Sequence, residues 1–238
     1  MALSEQPRVL KHQVVRSRLE ESLEDLVEGD PFPAERELAE TFSVSRETIR
    51  QALRELLLDG RIERRGRMTV VAGPKILQPL SIGSYTEAAR ERGMEASRFL
   101  VGWSHLTADA RLADRLGLAV NDPVLQLERV FTTAGVRVGL ERTRLPAHRY
   151  PGLEADFDVC SSLYAEFGRR GIIFGRTEDT IETTLPDARE AALLHVDART
   201  PMFLLRRLSY DDEGVPIEYR RSLYRGDRMA FTQTMYPD

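Results

Sequence analysis

Cysteine is almost missing from this chain: Cys160 stands alone among 238 residues. One thiol cannot close an intramolecular disulfide or supply a paired thiolate metal site, which fits a reducing compartment. Long apolar runs are missing too. No stretch approaches the length needed to cross a bilayer, and Met1 to Lys11 carry charge and a proline where a secretion signal would be apolar. The expected location is the cytoplasm, with no membrane partner. Histidines are few and scattered. His12, His105, His148 and His195 have no second ligand at helical or hairpin spacing, no glycine-rich phosphate loop is present, and Glu178 and Glu182 do not by themselves make a catalytic pair. These absences argue against an enzyme and imply neither a metal nor a cofactor. Lysine is scarce, with only Lys11 and Lys75 among 34 basic residues, and that bias carries no functional weight.

What is present is enough to fold. With 42% hydrophobic and 30% charged residues the chain reads as globular throughout, and its length suits two domains, each with its own core. The net charge of -4 is unevenly spread. Between Glu20 and Glu40 nine acids face Arg36 alone, whereas from Val44 to Lys75 eight basic residues face four acids. The basic stripe coincides with a recognisable pattern.

Val14, Val15, Leu19, Leu23 and Leu26 recur at helical spacing, predicting a first helix over about residues 10–28 that Gly29-Asp30-Pro31 ends. A short second helix follows Pro33, with Leu38, Ala39 and Phe42 inward. Ser43-Val44 forms a tight turn, Ser45 is placed as an N-cap, and a third helix buries Ile49, Ala52, Leu53, Leu56 and Leu57 until Gly60 stops it. This is the spacing of a helix-turn-helix, and it leaves Arg46, Glu47, Arg50, Gln51 and Arg54 facing out. Arg46, at the start of the third helix, can pair bidentately with guanine in the major groove, and Thr48 with the helix N-terminus suits phosphate. Residues 61–71 read as strand, basic turn, strand, a wing able to lie along the backbone or minor groove. On charge alone these arginines read equally as a solvated helix face; the inner-face spacing and the basic hairpin together favour DNA.

The runs Pro33-Ala34-Glu35-Arg36-Glu37-Leu38-Ala39 and Val44-Ser45-Arg46-Glu47-Thr48-Ile49-Arg50-Gln51-Ala52-Leu53 resemble the GntR family of bacterial regulators over a long ungapped stretch. The resemblance implies a winged helix-turn-helix over residues 1–73 in which Arg36 and Arg46 read guanines, Arg50 and Thr48 support on the backbone, Ser45 caps the reading helix, and Arg64, Arg65, Gly66 and Arg67 form the wing. Two positions depart from it. The family usually has serine at position 34 as partner of Glu37 in a capping box, and alanine forfeits about 1 kcal/mol. A second wing glycine is usual where Met68 stands.

Beyond the linker Gly73-Pro74-Lys75 strands alternate with helices. Strands are expected at Arg98–Leu106, Val124–Thr132, Val136–Leu145, Arg176–Thr184, Met202–Tyr210 and Pro216–Leu223, with hairpin turns at Thr133-Ala134-Gly135 and Asp211 to Gly214. Helices are expected at Tyr85–Arg92, Ala108–Leu116, Ser162–Arg170 and Ala188–Leu194. The fold class is therefore α+β, with a mainly antiparallel sheet over residues 77–238. Arg129 lies in an otherwise apolar strand. It either joins Ser162 and Tyr164 around an anion or pairs with Glu128 or Glu141 on a sheet face; Glu141 and Glu218 read equally as solvated strand residues.

This half resembles the UTRA effector-binding domain of the HutC branch, a chorismate lyase-like fold. The likeness rests on Ser84-Tyr85-Thr86-Glu87, Asp122 to Arg129, Gly139-Leu140-Glu141, Ser161 to Tyr164, Pro216-Ile217-Glu218 and Tyr224 to Arg228, and is nearest to aminosugar-phosphate sensors of the NagR and DasR type. It implies a phosphate held at Ser84, Tyr85, Thr86, Arg129, Ser162 and Tyr164, and a sugar at Glu141, Glu218 and Tyr224. Such sensors usually have a second arginine where Phe131 stands. An anion site of one arginine is therefore expected, for a ligand either less charged than a phosphosugar or different altogether, with Phe131 facing the ligand or filling core. The function expected is a homodimeric repressor of a metabolite uptake or catabolism operon, released from a palindromic double-stranded DNA operator by a small polar effector, a sugar phosphate or another anion. The rival is a metabolic enzyme or sugar-binding protein with an incidental helix-turn-helix.

Overall fold

A computed structural model describes residues 11–66, 68–80, 93 and 95–235. Arg67, Ser84, Tyr85, Thr86 and the helix expected at Tyr85–Arg92 lie outside the described residues. The chain divides into two compact units, residues 1–75 and 76–238.

Three helices and a hairpin make the first unit: α1 (Lys11–Ser22), α2 (Glu35–Thr41), α3 (Arg46–Leu58), β1 (Ile62–Arg65) and β2 (Met68–Val71). Val15 and Leu19 of α1 meet Leu38 of α2, Ile49, Leu53 and Leu56 of α3, and Ile62 and Val71 of the hairpin in one buried cluster. The first helix is shorter than its apolar spacing suggests. Past Ser22, whose hydroxyl donates to the Leu19 carbonyl at 2.7 Å, the backbone is drawn onto the hairpin: Gly29 N–H donates to Val71 O and Phe32 N–H to Thr69 O. Leu23 remains in the core without being helical. Gly66 adopts φ +63 at the tip of the hairpin, a conformation open to glycine because it lacks Cβ.

The second unit is built on a six-stranded antiparallel sheet in the order β4-β5-β6-β9-β8-β7. Its strands are β4 (Ala96–Thr107), β5 (Pro123–Thr133), β6 (Val136–Pro146), β7 (Phe174–Thr184), β8 (Met202–Asp211) and β9 (Pro216–Arg225). A separate parallel pair joins β3 (Ile76–Pro79) to β10 (Met229–Thr232), two short segments that alternation does not reveal. The helices are α4 (Ala110–Leu116), α5 (Leu153–Asp156), α6 (Leu163–Arg169) and α7 (Ala188–Leu194). Strand alternation sends successive side chains to opposite faces. Leu125 and Leu127 pack with α5 and α6 on one face. Val124 packs with α4, and Val130, Leu140 and Leu223 with α7, on the other. Arg129 and Phe131 share the α5–α6 face, and that is where a cavity opens.

Candidate nucleic-acid interface and anion cavity

In the first unit α3 presents its N-terminal end to solvent. Ser45 Oγ accepts from the Thr48 N–H at 3.2 Å and lies 2.9 Å from the Thr48 hydroxyl, so cap and hydroxyl are already coupled. Arg46 is exposed and takes part in no ion pair among the described residues. Arg50 is held by Glu47 at 3.0 Å and Glu35 at 3.5 Å. Glu35 also receives Arg64 at 3.8 Å, while Arg65 pairs with Glu63 at 2.5 Å. Arg36 lies 3.9 Å from Glu40 on the exposed side of α2. Exposed pairs of this kind exchange readily for phosphate, because each is worth about 0–1 kcal/mol in water. At the start of α2 the Glu37 carboxylate accepts from the Ala34 N–H at 3.3 Å, while alanine offers no oxygen in return. Only half of a capping box is made.

In the second unit the strands bring Arg98, Arg129, Arg207 and Arg220 to one cavity of about 480 Å³, open mouth included. Ser162, Tyr164, Phe131, Tyr224 and Phe231 also line it, and among the described residues Glu141 is its one lining carboxylate. Register explains the convergence. Arg98 is opposite Phe131, Arg129 opposite Glu141, and Arg207 opposite Arg220, all on the same face. Where a single arginine was expected, four line the cavity. Arg98 reaches in from β4 and lies 5.1 Å above the ring of Phe131, in place of the arginine missing from that position. Arg207 and Arg220 escape a reading of the sequence because each stands beside another arginine in its strand, and Arg98 because nothing in β4 alone shows which strand it faces; pairing β8 with β9 across the Asp211–Gly214 turn is the signal that places two of them together.

Arg129 is 2% exposed and pairs with Glu141 at 2.8 Å, not with Glu128. It also donates to the carbonyls of Val159 and Ser161, while its Nε has no hydrogen-bond partner. Glu128 lies on the other sheet face with Arg142 and Arg189. The second oxygen of Glu141 receives Arg220 at 3.2 Å. Burial alone would raise the Glu141 carboxyl, but Arg220, Arg129 and Arg98 outweigh it and hold it at about 2. Burial, aided by Arg129, lowers Arg98 to about 10, still cationic at neutral pH.

Glu218 is buried behind the lining rather than in it. Its Oε1 accepts from Tyr164 at 2.7 Å and Ser209 at 2.9 Å, and Oε2 has no hydrogen-bond partner. Burial pushes both Tyr164 and Tyr224 up, so both phenols are neutral donors. Arg207 is clamped by Asp179 at 2.5 Å. Ser162 Oγ accepts from the Ala165 N–H as cap of α6, whose first turn carries Tyr164. Phe131 is 1% exposed and stacks on Tyr224 with ring centres 6.2 Å apart, so it is both core and cavity wall. The arrangement offers dense N–H and O–H donors and positive charge to a small anion.

Known proteins share both units. The profile for "Bacterial regulatory proteins, gntR family" matches residues 11–71, and that for "UTRA domain" matches residues 91–230. The chain is 69% identical over 230 residues to the HTH-type transcriptional repressor PhnF of Mycolicibacterium smegmatis, covering 97% of this chain and 94% of that one. It is 32% identical over 209 residues to the HTH-type transcriptional repressor NagR of Bacillus subtilis, covering 86% of this chain and 85% of that one. The crystal structure of PhnF from Mycobacterium smegmatis superposes with a TM-score of 0.71 at 67% identity, covering 94% of this chain and all of that one.

Proposed function

The chain belongs to the GntR family of bacterial regulatory proteins, HutC type, and is a transcriptional repressor rather than an enzyme; on that premise we propose that a small phosphorylated or otherwise anionic metabolite in the arginine cavity releases it from a palindromic operator. The observation that carries this reading is four guanidinium groups around one lining carboxylate among the described residues. Asp179 answers Arg207 and Glu141 is shared by Arg129 and Arg220, so positive charge remains in excess, and charge-assisted hydrogen bonds to an oxyanion would balance it. Arg129, Ser162 and Tyr164 would hold the anion with Arg98 and Arg220, and Tyr224 and Phe131 would bound the remainder of the ligand. Arg46 and Arg36 would read bases, and Thr48, Arg50, Arg64 and Arg65 would contact the backbone. The chain would act as a homodimer, residues 77–238 supplying the pairing surface, in a cytoplasmic setting; among the described residues no helix is long and apolar enough to cross a membrane.

The test is calorimetry and thermal shift with inorganic phosphate, glucosamine 6-phosphate, N-acetylglucosamine 6-phosphate and the unphosphorylated sugars. A ligand that binds only the folded state raises its stability. At least one phosphorylated compound should bind and lower operator affinity, and Arg220→Met should weaken it about ten-fold or more, the loss of a charged hydrogen bond. Equal binding of phosphorylated and plain sugars would overturn the anion reading.

A further inference from the structure

The first unit contains one histidine, and it reaches the outward side of the reading helix. His12 Nε2 lies 3.2 Å from the side-chain nitrogen of Gln51 and 3.3 Å from Glu55 Oε1. Gln51 and Glu55 are four residues apart, one above the other along α3. A ring nitrogen has a single in-plane site, holding either a lone pair or a hydrogen. Nε2 therefore cannot serve both neighbours. As acceptor it takes an N–H of Gln51, and as donor it gives to Glu55. Among the described residues the charged groups facing the ring are Glu55 from α3 and Arg16 from α1. Arg16 takes the other oxygen of Glu55 at 3.6 Å and is itself held by Glu20 and Asp59, so Oε1 is left to the imidazole.

We propose that His12 is a positioning residue for DNA contact by Gln51. The neutral ring, with its hydrogen on Nδ1, holds the Gln51 amide in place. The protonated ring turns its Nε2–H to Glu55 and frees both amide N–H groups for a phosphate oxygen. Gln51 is exposed beside Arg50 on α3, so a released amide needs only a rotamer change to reach a bound backbone. The inference rests on the reading of α3 as the DNA-contacting helix. It makes operator affinity rise when the ring takes up a proton.

The experiment measures affinity of the full chain for a duplex selected from random sequence, at fixed salt, from about pH 8 to about pH 6, for the natural protein, His12→Gln and Gln51→Ala. The natural protein should tighten about three- to ten-fold across that range, one hydrogen bond's worth, and both variants should respond flatly. His105, His148 and His195 all lie in the second unit, and a response that survives in His12→Gln arises from some group other than His12 and overturns the proposal. A flat His12→Gln with a responsive Gln51→Ala would mean that the ring's charge acts on DNA directly, which also overturns it. Failure of the natural protein to select any duplex would overturn the DNA reading instead. Ring 15N shifts of selectively labelled histidine give a readout free of DNA and of variant folding. The neutral His12 should carry its hydrogen on Nδ1, and a neutral ring with hydrogen on Nε2 would end the proposal.

Discussion

At the residue scale the two units use charge in opposite ways. The arginines of α2, α3 and the wing are exposed and weakly paired, free to trade carboxylate for phosphate, so removing one changes binding more than folding. Arg46→Ala should lose about 1–3 kcal/mol on the selected site and much less on random DNA, whereas Arg64→Ala should weaken both alike and flatten the salt dependence. Equal losses for Arg46→Ala on the two duplexes, measured at unchanged melting temperature, would assign it to phosphate alone. In the cavity the charges are buried and their separation costs far more. Glu141 is bonded to Arg129 by one oxygen and to Arg220 by the other, and Arg98 stands nearby. Glu141→Gln leaves three buried cations without their carboxylate, and breaking such a pair typically costs about 3–5 kcal/mol. The same change leaves more uncompensated positive charge for an anion. Glu141→Gln should therefore melt well below the natural protein and gain more from added inorganic phosphate than the natural protein does. A variant that melts low and is indifferent to phosphate would show that the arginines do not face a common anion.

At the scale of elements, α2 and the sheet floor each hold a testable local choice. Ala34 has the backbone of an N-cap, φ -69 and ψ 149, and Glu37 already reaches back to its N–H. Ala34→Ser supplies the missing acceptor and should raise stability by about 1 kcal/mol, read from thermal or urea unfolding; no gain would mean that the introduced hydroxyl turns to solvent. Gly139 lies between Phe131 and Tyr224 in register, and a Cβ there would stand 2.9 Å from Tyr224 and 3.2 Å from Phe131. The glycine lets the two rings stack over it. Elements of this kind divide by how local their causes are. The helix α7 is readable because Asp187 and Glu190 cap it and its apolar spacing is regular. The six long strands are readable because their alternation is long. The early end of α1 is not, since pairing of Gly29 and Phe32 with a strand some forty residues later decides it. The parallel β3–β10 pair joins segments four residues long from opposite ends of the second unit, too short for any pattern. For the cavity, Arg129, Glu141, Ser162, Tyr164 and Tyr224 were legible through resemblance. Arg98, Arg207 and Arg220 required strand order, which no single strand contains.

At the scale of the whole molecule, acid and symmetry make the next demands. The Glu141 carboxyl is held at about 2 against an ordinary value of 4.5, and Glu128 and Asp211 are lowered for the same reason, arginine partners. A carboxylate whose folded value is depressed contributes stability that is complete above its unfolded value and is lost as pH falls through the folded one. The second unit should thus weaken progressively from about pH 4.5 toward about 2, and Glu141→Gln should show a smaller slope over that window in urea unfolding. Symmetry follows from the size of the DNA-reading head. Each chain offers one reading helix of 13 residues and a hairpin with strands of four residues each. A single module of that size contacts too few base pairs for tight specific binding, since one head buries only about 600–1,000 Å² of protein surface. Two heads related by a two-fold axis double the contacts, and the same axis then runs through the DNA, so the two half-sites must be inverted copies. The full chain should sediment as a dimer at micromolar concentration, and the duplexes it selects should be palindromes with both halves protected in a footprint. A monomer protecting one half-site would place specificity in a single head and leave the operator without symmetry.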